Sequence, residues 1–383
     1  MTEPLVASGA ALPPERLARY GRQLALPGFT AEHQGKLAAA RVLVVGGGGL
    51  GSATVPYLAA AGIGTIGIVD TDVVELSNLH RQVAHGMADV GNPKITSLAA
   101  TVAGIDPEVR VIEHAVRLDS ANALEVLDGY HLVLDGSDNF PTRYLVADAA
   151  ELAGIPVVWG SILGFGGQAG VSWASAGPRW RDLFPVPPEP GTVPSCSTGG
   201  VLPGVAATIG SIMVSEAMKL LTGVGEPLLG RVTVYDALTG RFRELEYDRA
   251  PDAVPVTALI DYEAFCGIRK PEERAAMNEE LEAEITVEQL AELGESVQLI
   301  DIREPWEAQI ASIPGGELIP MGRLAESLDK LRDDVPVVLY CHSGGRSGRA
   351  LEYLTQLGVA NVSHVIGGVD AWSTKIDPSV PRY

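Results

Sequence analysis

A glycine-rich turn near the start of the chain has the spacing of a nucleotide-binding loop. In RVLVVGGGGLGS (41–52), an apolar run leads into Gly46, Gly48 and Gly51, and Asp70 ends the next apolar run. Glycines at this spacing let backbone amides and a helix N-terminus approach phosphate oxygens, while an acidic side chain after the second strand accepts hydrogen bonds from ribose hydroxyls. NAD and ATP sites both fit this pattern, and so do glycines that only pack a strand against a helix.

Two basic residues and a carboxylate after this turn favour a triphosphate. Arg81 and Lys94 follow Asp70, and Asp138 comes at the C-terminal end of the apolar run HLVLD, the edge at which open α/β sheets bind ligands. Arginine and lysine neutralise phosphate charge and a carboxylate holds a hard cation, so we expect ATP, with Mg²⁺ at Asp138. Each basic residue alone would more often be a solvated surface charge. A hydride-transferring enzyme would need none of the three.

A cysteine loop in the last third of the chain has the pattern of a reactive thiolate. In YCHSGGRSGRALEYL, an apolar strand leads through a Gly/Ser loop into a helix, and Arg346 is the fifth residue after Cys341. Loop amides, the helix dipole and Arg346 all favour the thiolate. This C-x4-R loop is one residue shorter than the C-x5-R loop of phosphatases, and a shorter ring suits transfer of sulfur rather than phosphate. The predicted sulfur loop comprises Cys341, His342, Ser343, Gly344, Gly345, Arg346 and Ser347.

The other two cysteines carry weaker signals. Cys196 lies in the proline-rich stretch 178–204, which we expect to be a long loop, and a reactive thiol and a small buried side chain fit it equally well. Cys266 is expected to be buried or half-buried and without function. For Cys341 the alternative is a strand-end cysteine beside a flexible turn, and His342 is expected to be an exposed loop residue.

Composition limits the class of protein. The formal net charge is -20, which argues against binding to nucleic acid or to an anionic membrane. We expect no signal peptide and no membrane helix, because no stretch approaches the about 20 apolar residues that such a helix needs. Three cysteines in 383 residues argue against a disulfide framework and for a reducing compartment, so the cytoplasm is expected.

The elements that would position these residues alternate between strands and helices. This rhythm predicts a mostly parallel, doubly wound α/β sheet of the Rossmann type, followed by a second, small α/β domain. The strands of the first domain are predicted at 41–45, 65–70, 109–114, 131–136 and 156–161, with helices at 50–62, 120–129, 141–154 and 205–223. The predicted divisions are an ATP-binding domain at 1–267, an acidic linker at 268–284 and the second domain at 285–383.

Five ordered blocks over residues 14–266 resemble the MoeB/ThiF family, the bacterial relatives of ubiquitin-activating enzymes. They are RYGRQLALPGF, the glycine turn, DTDVVELSNLHRQ, GNPK and DGSDNFPTR. The resemblance implies ATP-dependent adenylation of the C-terminal carboxylate of a small ubiquitin-like sulfur carrier that ends in Gly-Gly. It also implies a homodimer in which Arg22 reaches into the partner's site, with Arg81 and Asp138 serving catalysis. The implied nucleotide-binding residues are Gly46, Gly48, Gly49, Gly51, Asp70, Ser77, Asn78, Arg81, Lys94, Asp138 and Asn139.

The chain departs from this family at its zinc-binding cysteines. Many members bind structural zinc through two C-x-x-C pairs, but here Arg179 and Asp182 replace the first pair. Glu263 replaces one cysteine of the second pair and leaves only Cys266. One cysteine cannot build a tetrahedral thiolate site, so we expect no zinc. Packing is expected to hold the segment instead, with an Arg–Asp pair as a more speculative substitute for the metal.

The cysteine loop and its surroundings resemble the rhodanese family over residues 284–383. LIDIREPWE, IPGG and VIGGVDAW match blocks of that family, with Ser312 in place of the usual histidine before Ile-Pro-Gly. The resemblance implies that Cys341 carries sulfane sulfur as a persulfide. The order of the two domains resembles that of the MoeZ-type fused activating enzymes and of the eukaryotic molybdopterin synthase sulfurylase.

Together the two resemblances imply one reaction sequence. A Cys341 persulfide attacks the carrier acyl-adenylate, AMP leaves, and a second thiol, for which Cys196 is the candidate, releases the carrier thiocarboxylate. The sulfur donor stays open between a cysteine desulfurase and thiosulfate, and the carrier between those of molybdopterin, thiamine and cysteine biosynthesis and of tRNA thiolation. A nicotinamide-dependent oxidoreductase leaves Arg81, Lys94 and Cys341 unexplained. A non-catalytic scaffold is disfavoured by the intact Asp138 and the unbroken cysteine loop.

Overall fold

The chain forms two compact units, Met1–Ile268 and Arg269–Tyr383. Each unit has its own sheet and its own hydrophobic core. The computed structural model describes residues 4–188, 200–251, 253–267, 281–332, 334–357, 359 and 361–383.

An eight-stranded sheet organises the first unit. Its strands are β1 Arg41–Val45, β2 Thr65–Val69, β3 Arg110–His114, β4 Leu132–Asp135, β5 Val157–Leu163, β6 Gly166–Ser172, β7 Arg231–Asp236 and β8 Arg241–Glu246. Their order in the sheet is β3-β2-β1-β4-β5-β6-β7-β8. Neighbours from β3 to β5 are parallel, and neighbours from β5 to β8 are antiparallel.

The central strand β1 is buried on both faces. Val42 and Val44 belong to one hydrophobic cluster, whereas Leu43 and Val45 belong to another. Because alternate residues of a strand face opposite sides, helices must cover both faces of the sheet, and this confirms the predicted doubly wound α/β fold. The helices are α1 Pro14–Arg19, α2 Gly21–Leu24, α3 Ala31–Ala39, α4 Gly49–Ala61, α5 Lys94–Ile105, α6 Ala123–Leu127, α7 Phe140–Ala153, α8 Trp180–Leu183, α9 Pro203–Thr222 and α10 Tyr262–Phe265.

Helix α9 corrects one expectation from composition. By length and composition it is apolar enough to cross a membrane, although we expected no such stretch. Its buried side chains, among them Ile209 and Met213, belong to the core cluster of the first unit. The helix packs against α4, β5 and β6. A core helix meets the same criterion of length and composition, and the packing accounts for the apolar character of α9.

The second unit is built on a five-stranded parallel sheet. Its strands are β9 Glu284–Ile285, β10 Gln298–Asp301, β11 Glu317–Leu318, β12 Val337–Tyr340 and β13 Val362–Val365, in the order β11-β10-β12-β13-β9. Its α-helices are α11 Val287–Leu293, α12 Pro305–Ile310, α13 Gly345–Gln356 and α14 Gly368–Lys375. Val338 of β12 packs into one cluster and Leu339 into the other, so this sheet is also covered on both faces.

Strand β6 and the helices α5 and α8 are among the elements that the sequence did not predict. Strand β6 was not predicted because GGQAGVS lacks an apolar run, yet it pairs with β5 and β7. Its glycines make room for neighbours, since a Cβ on Gly167 would lie 2.5 Å from Ile209 and one on Gly170 would lie 2.6 Å from Trp159. Helix α5 was also missed, and α8 interrupts the predicted loop 178–204. Part of that loop, including Cys196, lies outside the described residues.

Candidate functional site

A cavity of about 820 Å³ opens at the carboxyl ends of the central strands of the first unit. Gly46 follows β1, Asp70 follows β2 and Gly136 follows β4, and all three line it. Its volume lies in the range of small-molecule sites. The predicted nucleotide-binding residues that line it are Gly46, Gly48, Gly49, Asp70, Asn78, Arg81, Lys94, Asp138 and Asn139.

The glycine turn packs too tightly for side chains. Gly46 has a φ of +91°, in the left-handed region that favours glycine. A Cβ on Gly51 would lie 2.0 Å from the carbonyl oxygen of Gly46. Helix α4 begins at Gly49, so its first backbone amides lie at the cavity and can receive an anion.

Asp70 connects the turn to the next loop while it faces the cavity. Its Oδ2 accepts a hydrogen bond from the amide of Gly47 at 2.6 Å, and its Oδ1 accepts one from the amide of Asp72 at 2.7 Å. A carboxylate has about four lone-pair sites, so both oxygens can still accept from ribose hydroxyls.

Lys94 reaches the cavity as half of an ion pair. Its Nζ donates to Oδ2 of Asp72 at 2.7 Å. The Lys94 side chain is 7% exposed, whereas that of Asp72 is 67% exposed. Asp72 also lines the cavity, and the sequence reasoning missed it, although it lies in the block DTDVVELSNLHRQ. Because the carboxylate of Asp72 is well hydrated, a phosphate can take its place beside Lys94 with little loss.

Arg81 and Asp138 make few hydrogen bonds within the described part of the chain. Arg81 donates to the carbonyl of Ser77 at 3.2 Å. Asp138 is exposed, and within the described part of the chain no hydrogen bond or ion pair involves its carboxylate. Asn139 next to it accepts a hydrogen bond from the amide of Thr142 at 3.0 Å and so caps α7. The carboxylate of Asp138 is therefore available to a ligand of the cavity.

Three predicted residues of the first unit, Gly51, Ser77 and Arg22, do not line this cavity. Gly51 supports the turn from behind, and the Ser77 hydroxyl donates to Glu75 at 3.1 Å. Arg22 lies on α2, exposed and without a hydrogen bond or ion pair among the described residues. Cys196 falls outside those residues, so the structure does not place it.

Arg143 is a cavity residue that the sequence reasoning missed. It is buried, and its guanidinium donates to the carbonyl of Gly160 at 2.9 Å and to that of Ser137. These two bonds join the loop after β4, next to Asp138, to the middle of β5. The sequence did contain a signal for this residue, because Arg143 is the last residue of the block DGSDNFPTR.

The segment that carries zinc-binding cysteines in related proteins is held here by a buried ion pair. Arg179 donates to Oδ1 of Asp182 at 3.1 Å and to Glu151 at 3.2 Å, and it also reaches the carbonyl of Val254 at 2.8 Å. The side chains of Arg179 and Asp182 are 8% and 1% exposed. These bonds connect α8 to α7 and to the chain that follows β8. Arg179 and Asp182 therefore form an ion pair, the arrangement expected above as a more speculative alternative to packing alone.

Cys266 is buried, as expected, in the cluster beneath α7 and α8. Burial raises the pKa of its thiol to about 11. The thiol therefore stays protonated at neutral pH and is a poor nucleophile.

Cys341, at the end of β12, is 1% exposed and lies under its loop. The amide of Gly344 donates to its sulfur at 3.2 Å and the hydroxyl of Ser347 at 3.6 Å. Burial opposes ionisation, but the Ser347 hydroxyl and the amides of Ser343, Arg346 and Ser347 outweigh it and lower the pKa of the Cys341 thiol. The loop thus favours a thiolate, the form that can carry sulfur.

Arg346 has a partner that the sequence did not indicate. Its guanidinium makes two hydrogen bonds to the carboxylate of Glu307, at 2.6 and 2.7 Å. Glu307 offsets part of its charge, but the guanidinium still interacts favourably with the thiolate of Cys341, beside the loop amides and Ser347. The bond from Arg346 outweighs burial and lowers the pKa of Glu307 to about 2.

A second cavity, of about 470 Å³, lies beside the sulfur loop and reveals another missed residue. The hydroxyl of Tyr383 donates to Glu307 at 3.1 Å and accepts from Arg303 at 2.8 Å. The Tyr383 ring lies 4.5 Å from that of His342, which is half-buried rather than exposed as expected. Glu307 belongs to the motif LIDIREPWE, but nothing in the sequence around Tyr383 indicated its place.

The Arg346–Glu307 pair predicts how stability depends on pH. The carboxylate of Glu307 is favoured in the folded state, so its contribution is complete above the ordinary pKa of 4.5 and is lost as the pH falls towards about 2. We expect Glu307→Gln to weaken the protection of β12 amides against hydrogen exchange by about tenfold at pH 6, and by less at pH 3. Exposed Glu292→Gln is the control and should match the wild type at both pH values. An equal loss at both would show that the charge of Glu307 is not what stabilises the loop.

Comparison with known proteins identifies a family for each unit. The model of the ThiF family matches residues 20–256, and that of the rhodanese-like domain matches residues 286–375. The chain is 46% identical to the probable adenylyltransferase/sulfurtransferase MoeZ of Mycobacterium tuberculosis, over 99% of this chain and 98% of that protein. It is 49% identical to the sulfur carrier protein adenylyltransferase of Thermus thermophilus, over 67% of this chain and 98% of that one. Escherichia coli MccB, solved with AMPCPP and MccA, shares the fold with a TM-score of 0.57 and 20% identity over 62% of this chain and 73% of MccB.

Proposed function

The chain belongs to the ThiF family and continues into a rhodanese-like domain, as the motifs predicted, and on that premise we propose that it adenylates a sulfur carrier protein and then transfers sulfur to it. It is an adenylyltransferase and a sulfurtransferase, like the relatives that match both of its units. One observation carries the proposal: a single chain holds a cavity lined by a glycine turn, Arg81 and Lys94, and a buried cysteine whose loop favours the thiolate.

The first step makes the carrier carboxylate reactive. A carboxylate oxygen of the carrier attacks the α-phosphate of ATP, and pyrophosphate leaves. Here the amides at the start of α4 and the side chains of Arg81 and Lys94 would hold the phosphates, while Asp70 would hold the ribose. No protein nucleophile is needed, because positioning and charge neutralisation account for the chemistry.

The cavity also fits a magnesium ion. Asp138 is a carboxylate without a partner in the described part of the chain and lies among phosphate-binding groups, which are the surroundings that Mg²⁺ prefers. Asp138 would hold the ion, and the ion would neutralise charge on the phosphates of bound ATP. Arg143 keeps the loop before Asp138 in place through its bond to Ser137.

The second step transfers sulfur from Cys341. Its persulfide anion attacks the carbonyl carbon of the acyl-adenylate, a carbon–sulfur bond forms, and AMP leaves with the electrons of the broken carbon–oxygen bond. A second thiol then attacks the sulfur of Cys341, releases the carrier thiocarboxylate and forms a disulfide with Cys341. Cys196 remains the candidate for that thiol. An external thiol must then reduce this disulfide by thiol–disulfide exchange before the next turnover, which suits the reducing cytoplasm.

The test uses the full chain with ATP, Mg²⁺, thiosulfate and purified carrier proteins that end in Gly-Gly. We expect carrier-dependent exchange of labelled pyrophosphate into ATP, and a carrier mass in which one oxygen is replaced by one sulfur. Absence of exchange with every carrier would refute the adenylation step. Exchange without the change in mass, with both thiosulfate and a cysteine desulfurase as donor, would refute the sulfur transfer.

We also propose that the first unit needs no zinc, because the Arg179–Asp182 pair holds this segment in place of a metal. Removing one partner of a buried ion pair costs about 3 kcal/mol, so Asp182→Asn should lower the Tm of the first unit by roughly 6–12 °C. Incubation of the wild type with a chelator should leave its Tm unchanged. Glu263→Gln, which removes the exposed pair with Arg117, is the matched control and should have little effect. A fall of the wild-type Tm with chelator would show that a metal is present.

The active form is proposed to be a homodimer in which Arg22 completes the partner's site. The support is that Arg22 is exposed and has no contact of its own in the described part of the chain. Mixed dimers of an Arg22→Ala and an Arg81→Ala chain should then regain part of the exchange activity that each variant lacks alone.

A further inference from the structure

Behind the sulfur of Cys341 lies a series of polar contacts that the proposed reaction does not use. The Ser347 hydroxyl lies 3.6 Å from Sγ of Cys341 and 3.3 Å from Nδ1 of His364. Nε2 of His364 lies 3.5 Å from the carboxylate of Glu284. Ser347 and His364 are buried, whereas the Glu284 side chain is 66% exposed. The contacts therefore lead from the buried sulfur to solvent.

Ser347 has one hydroxyl proton and three acceptors within reach. It can donate to the sulfur, to the carbonyl of Gly344 at 3.0 Å, or to His364. A neutral His364 with its Nε2 proton towards Glu284 presents Nδ1 as an acceptor and draws the hydroxyl proton away from sulfur. A charged imidazole instead donates from Nδ1 to Ser347. The hydroxyl proton then goes to the anionic sulfur, because a charge-assisted hydrogen bond is stronger than one to a carbonyl.

We propose that His364 takes up, through Ser347, the proton that the Cys341 thiol gives up, and then holds the Ser347 hydroxyl on the sulfur. The S–H bond breaks and an O–H bond forms at Ser347, while the original O–H bond of Ser347 breaks and an N–H bond forms at Nδ1 of His364. The products are a thiolate and an imidazolium, and no electrons are exchanged. His364 is thus a positioning residue, since its ring does not touch the sulfur. This proposal rests on the proposed function only in taking Cys341 as the sulfur carrier.

One carboxylate lies beside the ring of His364. Strand β13, which carries it, packs against β9, β12 and α13. β9 contributes Glu284, β12 leads into Cys341, and α13 contributes Ser347, while Arg346 of α13 is paired elsewhere. Among the described residues, Glu284 is the charged side chain in contact with the ring. Its carboxylate is placed to accept the Nε2 proton of the ring.

The test is the pH dependence of Cys341 alkylation by iodoacetamide in the full chain, measured on the isolated peptide by mass spectrometry. His364→Phe should raise the midpoint pH of alkylation by about one unit, and Ser347→Ala should do the same. In the double variant the two shifts should not add, because both remove the same bond to sulfur. His364→Gln should raise the midpoint pH by less than His364→Phe does, since the glutamine amide can still donate a hydrogen bond to Ser347. Glu284→Gln, a change on the surface, should raise the midpoint pH by less than one unit. In the Ser347→Ala background the same change should have no effect.

Two results would overturn the proposal. One is a folded His364→Phe protein with the wild-type midpoint, and the other is a His364 or Glu284 effect that persists in the Ser347→Ala background. Ser373→Ala, a buried serine of α14 that bonds to Val380, is the control for loss of packing and should leave the midpoint unchanged. Alkylation needs no ATP, carrier or sulfur donor. A failure of this inference therefore leaves the carrier reaction untouched, and a failure of the carrier reaction leaves the alkylation result standing.

Discussion

Cys341→Ala should separate the two activities of the chain. Formation of the carrier thiocarboxylate with thiosulfate should fall by about 10³-fold or more, because the atom that carries the sulfur is gone. Carrier-dependent exchange of pyrophosphate into ATP should stay within about twofold of the wild type, since adenylation needs no protein nucleophile. Intact mass spectrometry of the carrier and the exchange assay measure the two effects on the same preparation.

Free sulfide provides an internal check on this variant. Hydrosulfide can attack the acyl-adenylate directly and expel AMP, so added sulfide should restore thiocarboxylate formation in Cys341→Ala. Cys266→Ala is the matched control, because the thiol of Cys266, although it lines the cavity, has a pKa of about 11 and stays protonated at neutral pH. Undiminished thiocarboxylate formation from thiosulfate by Cys341→Ala would remove the rhodanese-like unit from the mechanism.

Most of the fold could be predicted from sequence because its strands are apolar runs with clear ends. Strands β1 to β4 lie within the predicted segments, and β5 begins within its segment and runs two residues past it. Burial of β1 on both faces explains why its run is continuous rather than alternating. Strand β6 could not be predicted in this way. Its glycines leave space that Ile209 of α9 and Trp159 of β5 occupy. Packing of this kind leaves no alternation of apolar and polar residues in the strand itself.

The candidate site was predictable where a motif carries the chemistry and not where a distant side chain completes it. The glycine turn, Asp70 and the cysteine loop could be inferred because spacing alone constrains their backbone. Glu307 is remote from Arg346 in sequence, and its carboxylate offsets part of the positive charge of the loop. Tyr383 supports the same pair from another segment. Contacts of this kind are set by the fold and not by local sequence.

Arg81→Ala should produce the opposite separation of activities. Removing one group that stabilises developing charge typically costs about 10²–10³-fold in rate, so pyrophosphate exchange should fall by that amount. Transfer of sulfur from thiosulfate to cyanide at Cys341 should be unchanged. Unlike Cys341→Ala, this variant should not be rescued by sulfide, because no acyl-adenylate accumulates for sulfide to attack. Exchange within about threefold of the wild type would show that Arg81 does not act on the phosphates.

Two further variants make the role of the Arg81 guanidinium specific. Arg81→Lys keeps a positive charge but loses the planar fork that binds two phosphate oxygens at once, so its exchange activity should lie between those of Arg81→Ala and the wild type. Arg110→Ala removes an exposed arginine of β3 that does not line the cavity, and it should behave as the wild type. The graded loss from lysine to alanine distinguishes a phosphate contact from a general effect of net charge, because Arg110→Ala and Arg81→Ala change the net charge equally.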